Sequence, residues 1–204
     1  MVAIVTGASS GLGLRIAQQL RARGTPVIGV ARGETAEIAG DAAKRETALR
    51  AVEAAERLGT IDLLVNCAGV GIFGPAGSYD DAAIAAIIGA NLIATINFCE
   101  LIFPRFKEHG GTIVNVLSTA ALTGKPNESV YCAAKWGARG YGEALKAEAK
   151  GTKARIIAVA PGGMNTPFWP EARAAFMDPA DVAATIIDAI ERPVDISEIV
   201  ITRR

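Results

Sequence analysis

The chain has 204 residues, half of them hydrophobic and 21% charged, and its 21 basic residues balance its 21 acidic ones. That length fits one substantial core and is short for two domains, and the apolar share excludes a disordered chain. The lack of a basic excess argues against nucleic-acid binding, and no uninterrupted apolar run reaches the roughly 18 residues of a membrane span. Cys67, Cys99 and Cys132 are odd in number and form no CxxC pair. Neither a disulfide scaffold nor a metal site is expected, and a reducing, cytoplasmic setting fits. No signal peptide is expected, because residues 1–6 read directly as a strand.

Short β-branched runs alternate with longer alanine- and leucine-rich stretches. Val2–Thr6 is apolar, and residues 11–23 read as a helix that stops at Gly24. Val27–Ala31 is the next strand, and 36–39 a weak third. Asp41 is expected to cap a helix running to Arg57, with Gly59 ending it. Residues 61–65 form a strand, 80–107 a long helical region and 112–117 another strand. The only histidine, His109, falls at a helix end, where a cation suits the dipole. A helix over 129–150 and a strand over 155–160 follow. Asp178-Pro179 provides an N-cap with proline at N1 for a helix to about residue 192, and 197–202 is the last strand.

Seven near-continuous apolar strands between helices predict a parallel sheet covered on both faces. The fold class is α/β: a Rossmann-type, doubly wound, three-layer single domain over 1–204, with a short substrate loop at about 163–177.

The first strand runs into Thr6-Gly7-Ala8-Ser9-Ser10-Gly11-Leu12-Gly13, and a helix follows at once. Glycines allow the tight turn and the approach of backbone to a ligand. Free N–H groups at the helix start suit a pyrophosphate. The spacing is G-x3-G-x-G, and the lysine of a P-loop is missing. The second strand ends at Ala31-Arg32, where an acid would bond the ribose hydroxyls of NAD. Arginine there clamps a 2′-phosphate and favours NADP, with Ser9 and Ser10 as further donors.

Tyr131 and Lys135 stand four apart at the start of a helix and share one face. An ammonium near a phenol stabilises phenolate. A tyrosine pKa of about 10 lowered by about 3 units becomes usable near neutrality. Ser118 stands at the end of the strand before it. Strand carboxyl ends face the ligand crevice in open α/β sheets. Asn66-Cys67-Ala68-Gly69 and Pro161-Gly162-Gly163-Met164-Asn165-Thr166 follow other strands in the same way. Asn91 lies in the middle of the long helical region, where asparagine is a poor helix former.

Taken together, these motifs resemble the short-chain dehydrogenase/reductase family over nearly the whole chain. Thr6 to Gly13 is similar to its T-G-x3-G-x-G, and residues 66–69 to its N-N-A-G. Asn91, Ser118, Tyr131 and Lys135 match its Asn-Ser-Tyr-Lys tetrad, and Pro161 to Thr166 its P-G-x3-T segment.

The resemblance implies an enzyme that moves hydride between NADP(H) and a carbonyl or alcohol. Tyr131 would exchange the proton. Lys135 would lower the Tyr131 pKa and bond the nicotinamide ribose. Ser118 would polarise the carbonyl, and Asn91 would hold a water. Gly7, Ser9, Ser10, Leu12, Gly13 and Arg32 would face the phosphates. Asp41 and Ala42 would meet adenine. Asn66, Ala68 and Gly69 would flank the adenosine ribose. Pro161, Gly162, Met164 and Thr166 would lie by the nicotinamide, with Thr166 on its carboxamide. The family commonly pairs its two long helices, so a homodimer or homotetramer is expected.

Two departures stand out. Only residues 33–35 separate the second and third strands, where the family usually places a helix, and the segment 166–178 is too short for a large lid. Val70, Phe73, Thr119, Ala120, Met164, Phe168 and Trp169 are expected to line an apolar substrate site. A catalytically silent dinucleotide sensor is the alternative, but such relatives usually lose the tyrosine or the lysine.

Overall fold

The computed structural model describes residues 1–33, 35–169, 171 and 173–203. The strands are β1 (Val2–Thr6), β2 (Val27–Ala31), β3 (Ile38–Ala39), β4 (Ile61–Asn66), β5 (Gly111–Val116), β6 (Ala154–Pro161) and β7 (Glu198–Ile201). All pair in parallel, in the order β3-β2-β1-β4-β5-β6-β7. β1 and β2 are buried at every position, as unbroken apolar runs under two helical layers must be. Helices α1 (Gly11–Ala22) and α6 (Pro179–Glu191) cover one face, around Ile16, Leu20, Ile186 and Ile187. Helices α2 (Arg45–Leu58), α4 (Ala94–His109) and α5 (Ser129–Ala149) cover the other, around Phe98, Ile102 and Phe106.

Strand order reverses between β1 and β4, which opens a crevice at their carboxyl ends. The Thr6 hydroxyl closes its floor, accepting from the Cys67 N–H at 2.9 Å and the Ala68 N–H at 3.0 Å.

Several elements differ from expectation. The third strand shrinks to two residues. Asp41 does not cap α2, whose N-cap is Lys44 without a side-chain bond. Asp41 instead accepts from the Ala43 N–H at 2.9 Å, an Asx turn that aspartate makes as readily as a cap. Asp178 does cap α6, accepting from the Ala180 N–H at 2.7 Å. No helix occupies the stretch between β2 and β3 among the described residues. There Glu37 accepts from the Gly29 N–H at 2.9 Å and from the Arg21 guanidinium at 2.6 Å. A carboxylate thus satisfies an N–H that the short β3 does not reach.

The long helical region is three pieces in one run: α3 (Asp81–Ile88), a π-helical turn (Gly89–Ile93) and α4. The Asn91 amide donates to the Ile87 carbonyl at 2.9 Å, the acceptor its own backbone N–H would take in an α-helix. That competition widens the turn. This 29-residue run, Asp81–His109, is apolar and long enough to cross a membrane by length and composition. An expectation drawn from unbroken apolar runs missed it, because Asn91, Thr95 and Asn97 interrupt the stretch without making it polar on average. Phe98, Cys99, Ile102 and Phe106 of this run are fully buried in the sheet-facing core.

Candidate active site

A cleft of about 900 Å³ opens over the carboxyl ends of the strands. Its dinucleotide half is made of backbone. Gly7 takes φ +70° and Gly11 φ +51°, left-handed values that favour glycine. A Cβ on Gly7 would come within 3.0 Å of the Cys67 carbonyl and Ala68 backbone, and one on Gly13 would press on the Gly7 carbonyl. The loop is therefore packed to the backbone atoms, with the start of α1 open to the cleft. Ser10 is the N-cap but makes no side-chain cap bond, so donors at the helix start are left for an anion. Arg32 is exposed and lines the same wall, beside Asp41, Ala42, Ala43 and Lys44.

The other half holds Asn91, Ser118, Tyr131 and Lys135, all on the cleft wall. Each comes from a different cause. Asn91 sits on the π turn. Ser118 follows β5 and caps a 3₁₀ turn (Thr119–Ala121), accepting from the Ala120 N–H at 3.1 Å. Tyr131 and Lys135 are buried on the first turns of α5. The Lys135 ammonium donates to the Val116 carbonyl at 3.0 Å and lies 5.8 Å from the Tyr131 ring centre.

Burial governs the electrostatics. It holds the Tyr131 phenol well above its ordinary pKa, and the hydrogen bond from Ser118 offsets this only in part. It pushes Lys135 down to about 8 and Cys67, also on the wall, up to about 12. The expected lowering of Tyr131 by Lys135 is absent in the free protein. Desolvation of the phenol outweighs every opposing contact there.

The Asn91 amide donates to the Val70 carbonyl at 2.8 Å as well as to Ile87, while its Oδ1 is buried without a partner. A Cβ on Gly69 would sit 2.7 Å from that oxygen and 3.8 Å from the Lys135 nitrogen. Gly69 therefore leaves polar space between the two, with an acceptor awaiting a donor.

Among the expected dinucleotide contacts, Gly7, Ser9, Ser10, Leu12, Gly13, Arg32, Asp41, Ala42, Ala68, Gly69, Pro161, Gly162, Met164 and Thr166 all line the cleft. Asn66 does not. Its amide turns inward, donating to Asn115 Oδ1 at 2.9 Å and Cys99 Sγ at 3.2 Å. Of the expected substrate contacts, Val70, Met164, Phe168 and Trp169 line the cleft, whereas Thr119, Ala120 and Phe73 do not. Phe73 instead packs edge-on against Tyr131 at 5.6 Å and stacks on Trp169 at 5.1 Å. Phe168 lies 5.7 Å from Tyr131, so an aromatic cluster backs the phenol.

The segment 163–177 closes at its base. The Met177 N–H donates to the Gly163 carbonyl at 3.1 Å, and the Asn165 N–H to the Met177 carbonyl at 3.0 Å. Sequence reasoning missed Lys44, Lys125 and Glu128 on the wall. Nothing in their local pattern separates them from ordinary surface charges. Among the described residues, no cluster of three or more histidine, cysteine or acidic side chains is placed to hold a metal.

Comparison with known proteins agrees with this geometry. Residues 1–176 match the family model described as short chain dehydrogenase. A sepiapterin reductase of Chlorobaculum tepidum is 35% identical over 143 residues, 68% of this chain and 59% of that protein. A 3-ketodihydrosphingosine reductase of Bacteroides thetaiotaomicron is 31% identical over 175 residues, 82% of this chain and 65% of that one. The matches thus span under two thirds of these two relatives. A crystal structure of a short-chain dehydrogenase/reductase from Vibrio parahaemolyticus superposes with a TM-score of 0.89 at 31% identity. That match covers 99% of this chain and 96% of the other.

Proposed function

We propose that this chain, which belongs to the short-chain dehydrogenase/reductase family, is an NADP-dependent carbonyl reductase whose proton donor is Tyr131. One observation carries the reading: Tyr131, Lys135, Ser118 and Asn91 share a single cleft with the glycine loop. The cleft fits a dinucleotide. Its glycine positions leave no room for a Cβ, its helix start is uncapped, and its far end carries an acceptor, Asn91 Oδ1, without a donor. Ser9 and Ser10 with the first N–H groups of α1 would hold the pyrophosphate. Arg32, free of any ion pair among the described residues, would hold the 2′-phosphate.

When bound, the nicotinamide supplies or accepts the hydride. The rest falls to the protein. The Ser118 hydroxyl donates to the substrate carbonyl oxygen and fixes its direction. Tyr131 keeps its proton because burial disfavours phenolate, and delivers it to the oxygen as negative charge develops there. Lys135 would bond the nicotinamide ribose and, through the space beside Gly69, would meet a water held by Asn91 Oδ1, a route by which Tyr131 would regain a proton.

Nicotinamide fluorescence on mixing with NADPH, followed by its absorbance with a panel of ketones, tests this reading. Enhanced fluorescence and consumption of NADPH are expected. Binding without consumption across the panel would leave a dinucleotide sensor.

We further propose a homodimer, built on the exposed Ile84, Ile93 and Trp136 of α3, the π turn and α5. Light scattering at micromolar concentration should read twice the 21.1 kDa chain mass. The three cysteines are all unpaired, which supports a reducing compartment such as the cytoplasm.

A further inference from the structure

We propose that Lys125 reads an anionic group, a carboxylate, on the substrate, so that the preferred substrates are keto acids with an apolar body. This rests on the reductase reading above and adds the substrate class.

Lys125 lines the cleft together with Ser118, Tyr131 and Trp169. Its ammonium donates to the Thr119 hydroxyl at 2.8 Å, and Thr119 is the next residue after Ser118. A cation is thereby held beside the serine that would orient the carbonyl. Lys125 is half-buried, and no carboxylate lies within 4.0 Å of it among the described residues. A partly desolvated ammonium with one neutral partner has donors to spare.

Its loop is held at one carbonyl, two residues on. The Tyr79 hydroxyl donates to the Asn127 carbonyl at 2.9 Å, and the Gly74 N–H donates to the same carbonyl at 2.9 Å. Asn127 itself takes φ +62°, so this tight loop holds a left-handed residue in place. The lysine is therefore presented by a braced loop, which lowers the cost of using it for recognition. Phe168 and Trp169 add apolar surface to the same cleft. Glu128 also reaches the cleft, so an anion there meets a carboxylate as well as the ammonium. Selection for the anion has to come from direct contact with Lys125, because Glu128 offsets part of its longer-range attraction.

Two measurements on the whole protein test the proposal. Rates for a keto acid and its methyl ester are compared in wild type, Lys125→Met and Lys125→Arg. Binding of phenylacetate and phenylacetamide to the NADPH complex is compared by calorimetry, which needs no turnover. Wild type should favour the acid at least tenfold in kcat/KM and phenylacetate at least tenfold in Kd. Lys125→Met should bring both ratios near one, and Lys125→Arg should keep most of the preference. Equal ratios in wild type, or a preference that survives in Lys125→Met, would overturn the assignment. Loss of NADPH consumption with every ketone would instead break the reductase reading, while the calorimetric comparison still decides on Lys125.

Discussion

The two halves of the cleft are built from different material. The dinucleotide half is backbone packed on backbone: Gly7 against Cys67 and Ala68, and Gly13 against the Gly7 carbonyl. The substrate half is side chain on side chain, with Phe73, Phe168 and Trp169 meeting around Tyr131 from two separate loops. Backbone cannot be altered without moving a strand, whereas an aromatic can be exchanged for another of similar volume. The first half therefore tolerates little change, and the second is freer to vary with the substrate. The junction between them is the buried pair Tyr131 and Lys135.

The largest effect is expected at that junction. Tyr131→Phe should lower kcat by roughly 10²–10⁴-fold, the usual worth of general acid catalysis. NADPH affinity should stay within about threefold of wild type, since the hydroxyl contributes little to the dinucleotide half. Steady-state rates and fluorescence titration read the two numbers separately.

Next comes the far end of the dinucleotide half. Arg32→Ala should weaken NADPH by about 1.5–3 kcal/mol, roughly tenfold or more, and leave NADH nearly unchanged. Equal losses for the two would assign Arg32 to adenine or to the fold.

Paired substitutions sharpen the contrast. Gly13→Ala should cost about 1–3 kcal/mol through overpacking and weaken dinucleotide binding with it. Trp169→Ala, in the other half, should change substrate KM several-fold, on the order of 1 kcal/mol, with NADPH affinity intact. Thermal melts with and without NADPH separate the two outcomes.

A pH dependence completes the comparison. In the free protein Lys135 is pushed down to about 8 by burial. Bound anionic phosphates favour its charged form, so the complex holds that proton more tightly. Linkage then makes NADPH affinity level below about pH 8 and falling, by up to tenfold per pH unit, as pH rises through it. Tyr131 and Cys67 stay protonated there, so neither masks the trend. Lys135→Met should give a flat profile. The same lysine makes free-protein stability rise with pH from about 8 to its ordinary value near 10.4, where the unfolded chain binds the extra proton.

Much of this was legible in the sequence. Apolar strands between helices gave the layers, and the glycine loop, Ser118 and the Tyr131–Lys135 spacing fell on one crevice because parallel strands all end on the same side. What stayed hidden depends on contacts between distant segments. The π turn forms because the Asn91 amide takes both a carbonyl four residues back and that of Val70, a contact made across the cleft. Asn66 turns away from the cleft because Asn115, on the neighbouring strand, offers a buried acceptor. Asp41 makes a local turn where a cap was equally compatible with its chemistry. Lys125 carries no signal of its own until the loop of Gly74 and Tyr79 braces it.

Transfer of deuterium tests the central claim most directly. Wild type and Tyr131→Phe are given NADPH deuterated on the transferring face of the nicotinamide together with a keto acid, and the product is read by NMR. Deuterium on the new carbinol carbon is predicted for wild type, at an initial rate roughly 10²–10⁴-fold above that of Tyr131→Phe at matched NADPH occupancy. Bound NADPH with no deuterium in the product of wild type, or equal transfer by both proteins, would contradict the assignment of hydride chemistry to this cleft and of the proton to Tyr131.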